Sequence, residues 1–187
     1  MRTIRLSALA ILPAAVALGG WTGAPADDGA RAATGEVAEA ALIDASGAPI
    51  GVARLVQGPK GVLIRLEADG LTPGWHGVHI HAVGQCDAPF TSAGGHINHA
   101  EPAAPHGLLN AEGPDDGDLP NIHADEQGRV RAELFTTRVR LAAGGPGQWL
   151  LDPDGSALVV HAGADDHSSQ PIGGAGGRVA CGVIASG

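Results

Sequence analysis

In the run Trp75-His76-Gly77-Val78-His79-Ile80-His81, polar and apolar residues alternate as in a strand, so His79 and His81 project from one face. Two imidazoles placed this way can meet a single metal ion. His76 stands at an odd offset from His79, faces the other way, and reads as a core histidine. Further along come His96, His106 and Asp118, and His161 ends the Val159-Val160 run, so nitrogen and carboxylate donors recur at the edges of loops. Imidazole is a borderline ligand that suits both copper and zinc, whereas nitrogen and oxygen donors without thiolate are poor hosts for an iron–sulfur cluster.

Such donors need a frame. From Gly61 the clearest strand sets Val62, Ile64, Leu66 and Ala68 on one face and Arg65, Glu67 and Asp69 on the other. Val130, Ala132 and Leu134 repeat the pattern against Arg129, Arg131 and Glu133, while residues 157–161 and 178–184 are short apolar runs suited to buried strands. Turns such as Asp44-Ala45-Ser46-Gly47 and Asp125-Glu126-Gln127-Gly128 separate the segments. The chain therefore reads as all-β. Two stretches break the rhythm, 82–121 and 162–177, each rich in Gly, Pro, His and Asp. Seven of the nine histidines lie in them or on the strand ends bordering them. Long loops in a compact domain usually carry function, so the chemistry is expected there.

The chain of 187 residues has room for one ordinary domain. Its opening, with Arg2 and Arg5, an apolar run from Leu6 to Leu18 and then Ala24-Pro25-Ala26, reads as a cleavable export signal over 1–26, followed by a flexible tether over 27–34 and a domain over 35–187. The run is too short to span a membrane. The formal net charge is −9 and Lys60 is the only lysine, which argues against a nucleic-acid partner. The two cysteines, Cys86 and Cys181, fit one disulfide in an oxidising compartment, with two buried free thiols as the alternative.

The strings HGVHIH, CDAPFTSAGGHIN, GDLPN, VVHAGADD and QPIGGAGGRVACGVI stand in an order and spacing that resembles the bacterial copper, zinc superoxide dismutases, over about residues 35–184. The resemblance implies an eight-stranded antiparallel Greek-key β-barrel or sandwich with two functional loops. It implies superoxide as substrate, one copper and one zinc per subunit, and a periplasmic or otherwise exported monomer or homodimer. Matched position by position, His79, His81, His96 and His161 are the expected copper ligands. His96 bridges to a zinc held with His106 and Asp118, and Asp165 is the carboxylate linking a copper histidine to a zinc histidine. Arg178 is the anion-guiding residue, His96 the proton donor to peroxide, and Cys86 pairs with Cys181. The alternative is a non-enzymatic copper-binding or copper-buffering protein on the same fold.

The sequence departs from the family in two places. The third zinc histidine, expected just before GDLPN, is replaced by Asp115. Either Asp115 supplies an oxygen donor, or His99 or His123 swings in, or zinc binds weakly or not at all; the first is favoured because zinc accepts Asp oxygen at much the same distance as His nitrogen. The second departure is that neither loop contains a lysine, so Arg178 stands nearly alone, with His99 and His167 as partial charges at lower pH. Capture of the anion is then expected to be slower and less salt-sensitive than in lysine-rich relatives.

Overall fold

The computed structural model describes residues 35–187, so the expected signal and tether, 1–26 and 27–34, lie outside the described residues. Strands form where the apolar alternation places them: β1 (Val37–Asp44), β2 (Pro49–Gly58), β3 (Gly61–Ala68), β4 (Gly74–His76), β5 (Val78–His81), β6 (Ile122–Ala124), β7 (Val130–Thr136), β8 (Val139–Arg140), β9 (Gln148–Trp149), β10 (Ser156–His161) and β11 (Arg178–Ser186). Among the described residues there is no α-helix, only a 3-10 turn at Thr91–Ala93. Seven strands make one curled antiparallel sheet in the order β5-β10-β11-β1-β2-β3-β7, and β4 pairs with β6. The run that reads as one strand in the sequence is split at Gly77 between these two sheets. The expected Asp turns form, with Asp44 and Asp125 each accepting backbone N–H groups from the residues that follow.

The buried face of β3 is the one its sequence sets out: Val62, Ile64, Leu66 and Ala68 enter the main core with Leu42, Leu55 and Leu134. Strands β5 and β10 are buried on both faces. On one face Val78, Ile80, Leu158 and Val160 join that core. On the other, His79 lies across from Val159 and His81 across from Ala157. Ala157 and Val159 pack in a second cluster with Phe90, Ala93 and Cys181. A bulge after Val160 sets His161 opposite Arg178 on β11. The register of three adjacent strands thereby gathers three histidines and the arginine at one end of the sheet.

The loop over 82–121 covers this face, and two features pin it. Phe90 of this loop is fully buried against Ala157 and Val159, and Cys86 is joined to Cys181 of β11 across 95 positions. Such a link contributes roughly 2–4 kcal/mol. Phe90→Ala is expected to cost about 3–5 kcal/mol, measured by urea unfolding of the metal-free, disulfide-bonded protein. A loss below about 1 kcal/mol would show that the disulfide alone holds the loop.

Candidate metal centre

Three of the gathered rings stand on strands and one, His96, on the covering loop, which bridges to β5 through an antiparallel contact between His81 and His96. Ring centroids lie 4.1 Å apart for His79 and His96, 4.8 Å for His79 and His161, and 5.1 Å for His81 and His96. One nitrogen of each ring is engaged outward. His79 Nε2–H donates to Asp165 Oδ2 (2.7 Å), His81 Nδ1–H to the Gly94 carbonyl (3.0 Å), His161 Nδ1–H to the Gly176 carbonyl (3.0 Å), and His96 Nδ1–H to Asp115 Oδ2 (2.9 Å). These bonds engage the outward nitrogen of each ring and leave His79 Nδ1, His81 Nε2, His96 Nε2 and His161 Nε2 facing inward. All four are buried without a hydrogen-bond partner, and the four residues offer ligand atoms within 4.8 Å of one another. Buried nitrogens are seldom left so, and a copper ion fits the set by donor chemistry and by count.

Beside this cluster lies a second group, His96, His106, Asp115 and Asp118, whose ligand atoms also fall within 4.8 Å of one another. His106 Nε2–H donates to Asp165 Oδ1 (3.1 Å), which turns Nδ1 toward Asp118. Asp115 is 4% exposed, and the Gly117 N–H binds its Oδ1 at 3.0 Å. Two imidazole nitrogens and two carboxylates are a set that zinc accepts. Asp165 thus joins the two groups, one oxygen on His79 and the other on His106. Asn121 holds Asp165 in turn, accepting its N–H (2.9 Å) and donating to its carbonyl (2.8 Å). Gly173, at φ +58°, makes room for this carboxylate; a Cβ there would lie 1.6 Å from Asp165 Oδ1.

Electrostatics separate the rings. Burial pushes His79 down to about 4, against the opposing bond to Asp165, and His81 down to about 2; burial also lowers His161. At neutral pH these rings are unprotonated, as metal ligation requires. For His96 burial acts downward as well, but its bonds to Asp115 and Asp118 outweigh it and raise the ring to about 9. Burial works to raise Asp165, yet the hydrogen bonds from His79 and the His167 N–H hold it well below the usual carboxylate range. Arg178 donates to the carbonyls of Phe90 and Gly94 and lines two cavities, one shared with His81, His96 and Asp115, the other with His161 and Thr91.

The structure brings together every site residue expected from the sequence, with Asp115 in the second cluster. His99 and His123 are both exposed and outside it; His123 packs its ring on Trp75 with centroids 4.9 Å apart. His76 sits in the core, its ring nitrogens 2.7 Å from the carbonyl oxygens of His161 and Thr72. Sequence reasoning assigned no role to Asn121, although it ends the GDLPN string, nor to the Gly94 carbonyl, which serves both His81 and Arg178.

The family described as copper/zinc superoxide dismutase (SODC) matches residues 50–184. The chain is 52% identical over 139 residues to a Cu-Zn superoxide dismutase of Caulobacter vibrioides, covering 74% of this chain and 79% of that one. It is 47% identical over 145 residues to Cu-Zn superoxide dismutase 1 of Aquifex aeolicus, covering 76% and 84%. Among solved structures, the Cu/Zn superoxide dismutase of Brucella abortus superposes with a TM-score of 0.63 at 27% identity, over 80% of this chain and all of that one. A SOD-like protein from Bacillus subtilis gives 0.73 at 33% identity, over 79% and 97%. With two linked donor clusters on this sheet and relatives of this identity, the chain belongs to the copper/zinc superoxide dismutase family.

Proposed function

We propose that His79, His81, His96 and His161 hold copper, that His96 bridges to a zinc held with His106, Asp118 and Asp115, and that Arg178 guides the substrate anion. The enzyme converts two superoxide ions and two protons into oxygen and hydrogen peroxide. The observation that carries the site assignment is the convergence of four buried, partnerless imidazole nitrogens beside an arginine held by two carbonyls.

Copper held by these four histidines would supply the one-electron redox chemistry of the reaction. The chain supplies place, charge and protons. Arg178 spends two N–H groups on Phe90 and Gly94 and keeps others for the anion, whose approach runs along the cavities it lines. His96 Nε2, when it is not holding the metal, would take up one proton and give it to the forming peroxide, and solvent would supply the other. Asp165 keeps His79 and His106 aimed. A copper buffer would have no use for a guanidinium fixed over the site, so Arg178 favours the enzyme. The Cys86–Cys181 disulfide supports action in an exported, oxidising compartment such as the periplasm. No helix among the described residues is long and apolar enough to cross a membrane.

Arg178→Leu is expected to lower kcat/KM about 10- to 100-fold with copper content unchanged. For the unaltered enzyme, kcat/KM should decline only shallowly with added salt; a steep decline would reveal guidance by charges other than Arg178. Asp115→Ala should weaken zinc binding by more than the 10- to 100-fold typical of losing a ligand's supporting partner, read by chelator competition. Zinc retention at full affinity in that variant would remove Asp115 from the ligand set.

Stability of the metal-free protein should depend on pH in both directions. His79 and His81 fall in pKa on folding, so their contribution is complete above 6.5 and is lost as pH drops through about 4 and toward 2. His96 rises on folding, so its contribution is complete below 6.5 and is lost as pH climbs through about 9. The melting temperature is therefore expected to peak near pH 6.5 and fall on either side. A monotonic profile from pH 4 to 9 would contradict the assigned shifts.

A further inference from the structure

We propose that Gln170, in the loop over 162–177, is a positioning residue for His106 and so sets the geometry of the zinc side. The inference rests on the zinc assignment made above. Gln170 stands 64 positions from His106, yet its Oε1 accepts the His106 N–H (3.0 Å) and its Nε2 donates to the His106 carbonyl (2.8 Å). One side-chain amide thus holds both backbone polar groups of one buried residue. Its Nε2 also reaches the Ser168 carbonyl at 3.1 Å, which anchors the amide in its own loop. Only Asn and Gln carry a donor and an acceptor side by side in one plane, and Asn is a methylene shorter.

The clamp lies on a seam between the two long loops. The Leu109 N–H donates to the His167 carbonyl (3.0 Å), and Gly107, at φ +120°, lies so close that a Cβ there would sit 2.3 Å from the His167 oxygen. His106 is the residue of the first loop whose ring also crosses this seam, through Asp165. Among the four proposed zinc donors, His96 is shared with copper and two are carboxylates, so His106 is the one histidine that serves zinc alone. Its ring is tied at Nε2 to Asp165, so with that end fixed the position of the backbone sets where Nδ1 lies. Displacement of that peptide by about 0.5 Å is enough to spoil a ligand geometry.

The test uses the full, copper-loaded, disulfide-bonded protein with zinc removed and cobalt(II) as the probe. Gln170→Met keeps the length and apolar stem and removes both bonds. It should weaken cobalt and zinc binding about tenfold in chelator competition and alter the cobalt d–d absorption, with copper content and absorption unchanged. Gln170→Asn, with the right groups one methylene short, should behave likewise. Ser169→Ala removes the Ser169 Oγ–H bond to Asp166 (2.6 Å) in the same loop but leaves the clamp intact, and should match the unaltered protein. Unchanged cobalt affinity and spectrum in both Gln170 variants would overturn the proposal, as would an equal loss in Ser169→Ala. If the unaltered protein takes up neither cobalt nor zinc, the zinc assignment fails, and this inference falls with it.

Discussion

The structure turns on the cost of burying an imidazole nitrogen with nothing to bind. Four such atoms face one point, and each would lose its water on folding without gaining a partner. The protein directs them there by satisfying the opposite nitrogen of every ring, with carboxylates for His79 and His96 and carbonyls for His81 and His161. Three of the rings ride on the ends of β5 and β10, where strand register gives their spacing. All four outward partners, Asp165, Asp115, Gly94 and Gly176, belong to the two long loops. The strands deliver the ligands and the loops aim them.

Loops without regular structure can aim a ring only if they are themselves fixed, and here the fixing is distributed. Phe90 and the disulfide press the first loop onto β10 and β11. Asn121 closes on the backbone of Asp165, Gln170 on that of His106, and Asn98 on that of Ala104, each by donating and accepting at once. Gly94, at φ +76°, ends the 3-10 turn and offers one carbonyl to both His81 and Arg178. The His81 ring and the Arg178 guanidinium are therefore referenced to the same atom, and a shift of the loop would move them together.

Much of this was legible in the sequence for reasons of period and position. The odd spacing of His79 and His81 against Val78 and Ile80 announces a shared face, and the all-β frame follows from the alternation at 61–68 and 130–134. The expectation that distant donors such as His96 and His161 share a cluster came only through motif resemblance, because no local pattern ties residues so far apart. The burial of Asp115 beside His96 could be favoured but not read, since it depends on where a coil segment folds. The amide clamps were invisible: a Gln or Asn in a polar loop has no periodic signature, and only the fold brings Gln170 within 3 Å of His106.

The two departures from the family act on the same quantity, the positive potential that draws superoxide inward. A second carboxylate in the proposed zinc set cancels more of that ion's charge, and loops without lysine add nothing back, on a chain of formal net charge −9. Long-range attraction must then be weak. At physiological ionic strength, however, the Debye length is about 8 Å, so most of a distant lysine's pull would be screened in any case. Arg178 lines the same cavity as His81 and His96, partly desolvated and held by two carbonyls. If Arg178 has the proposed guiding role, one well-held guanidinium keeps short-range capture where a diffuse field cannot, and what is given up is chiefly the gain available in dilute salt.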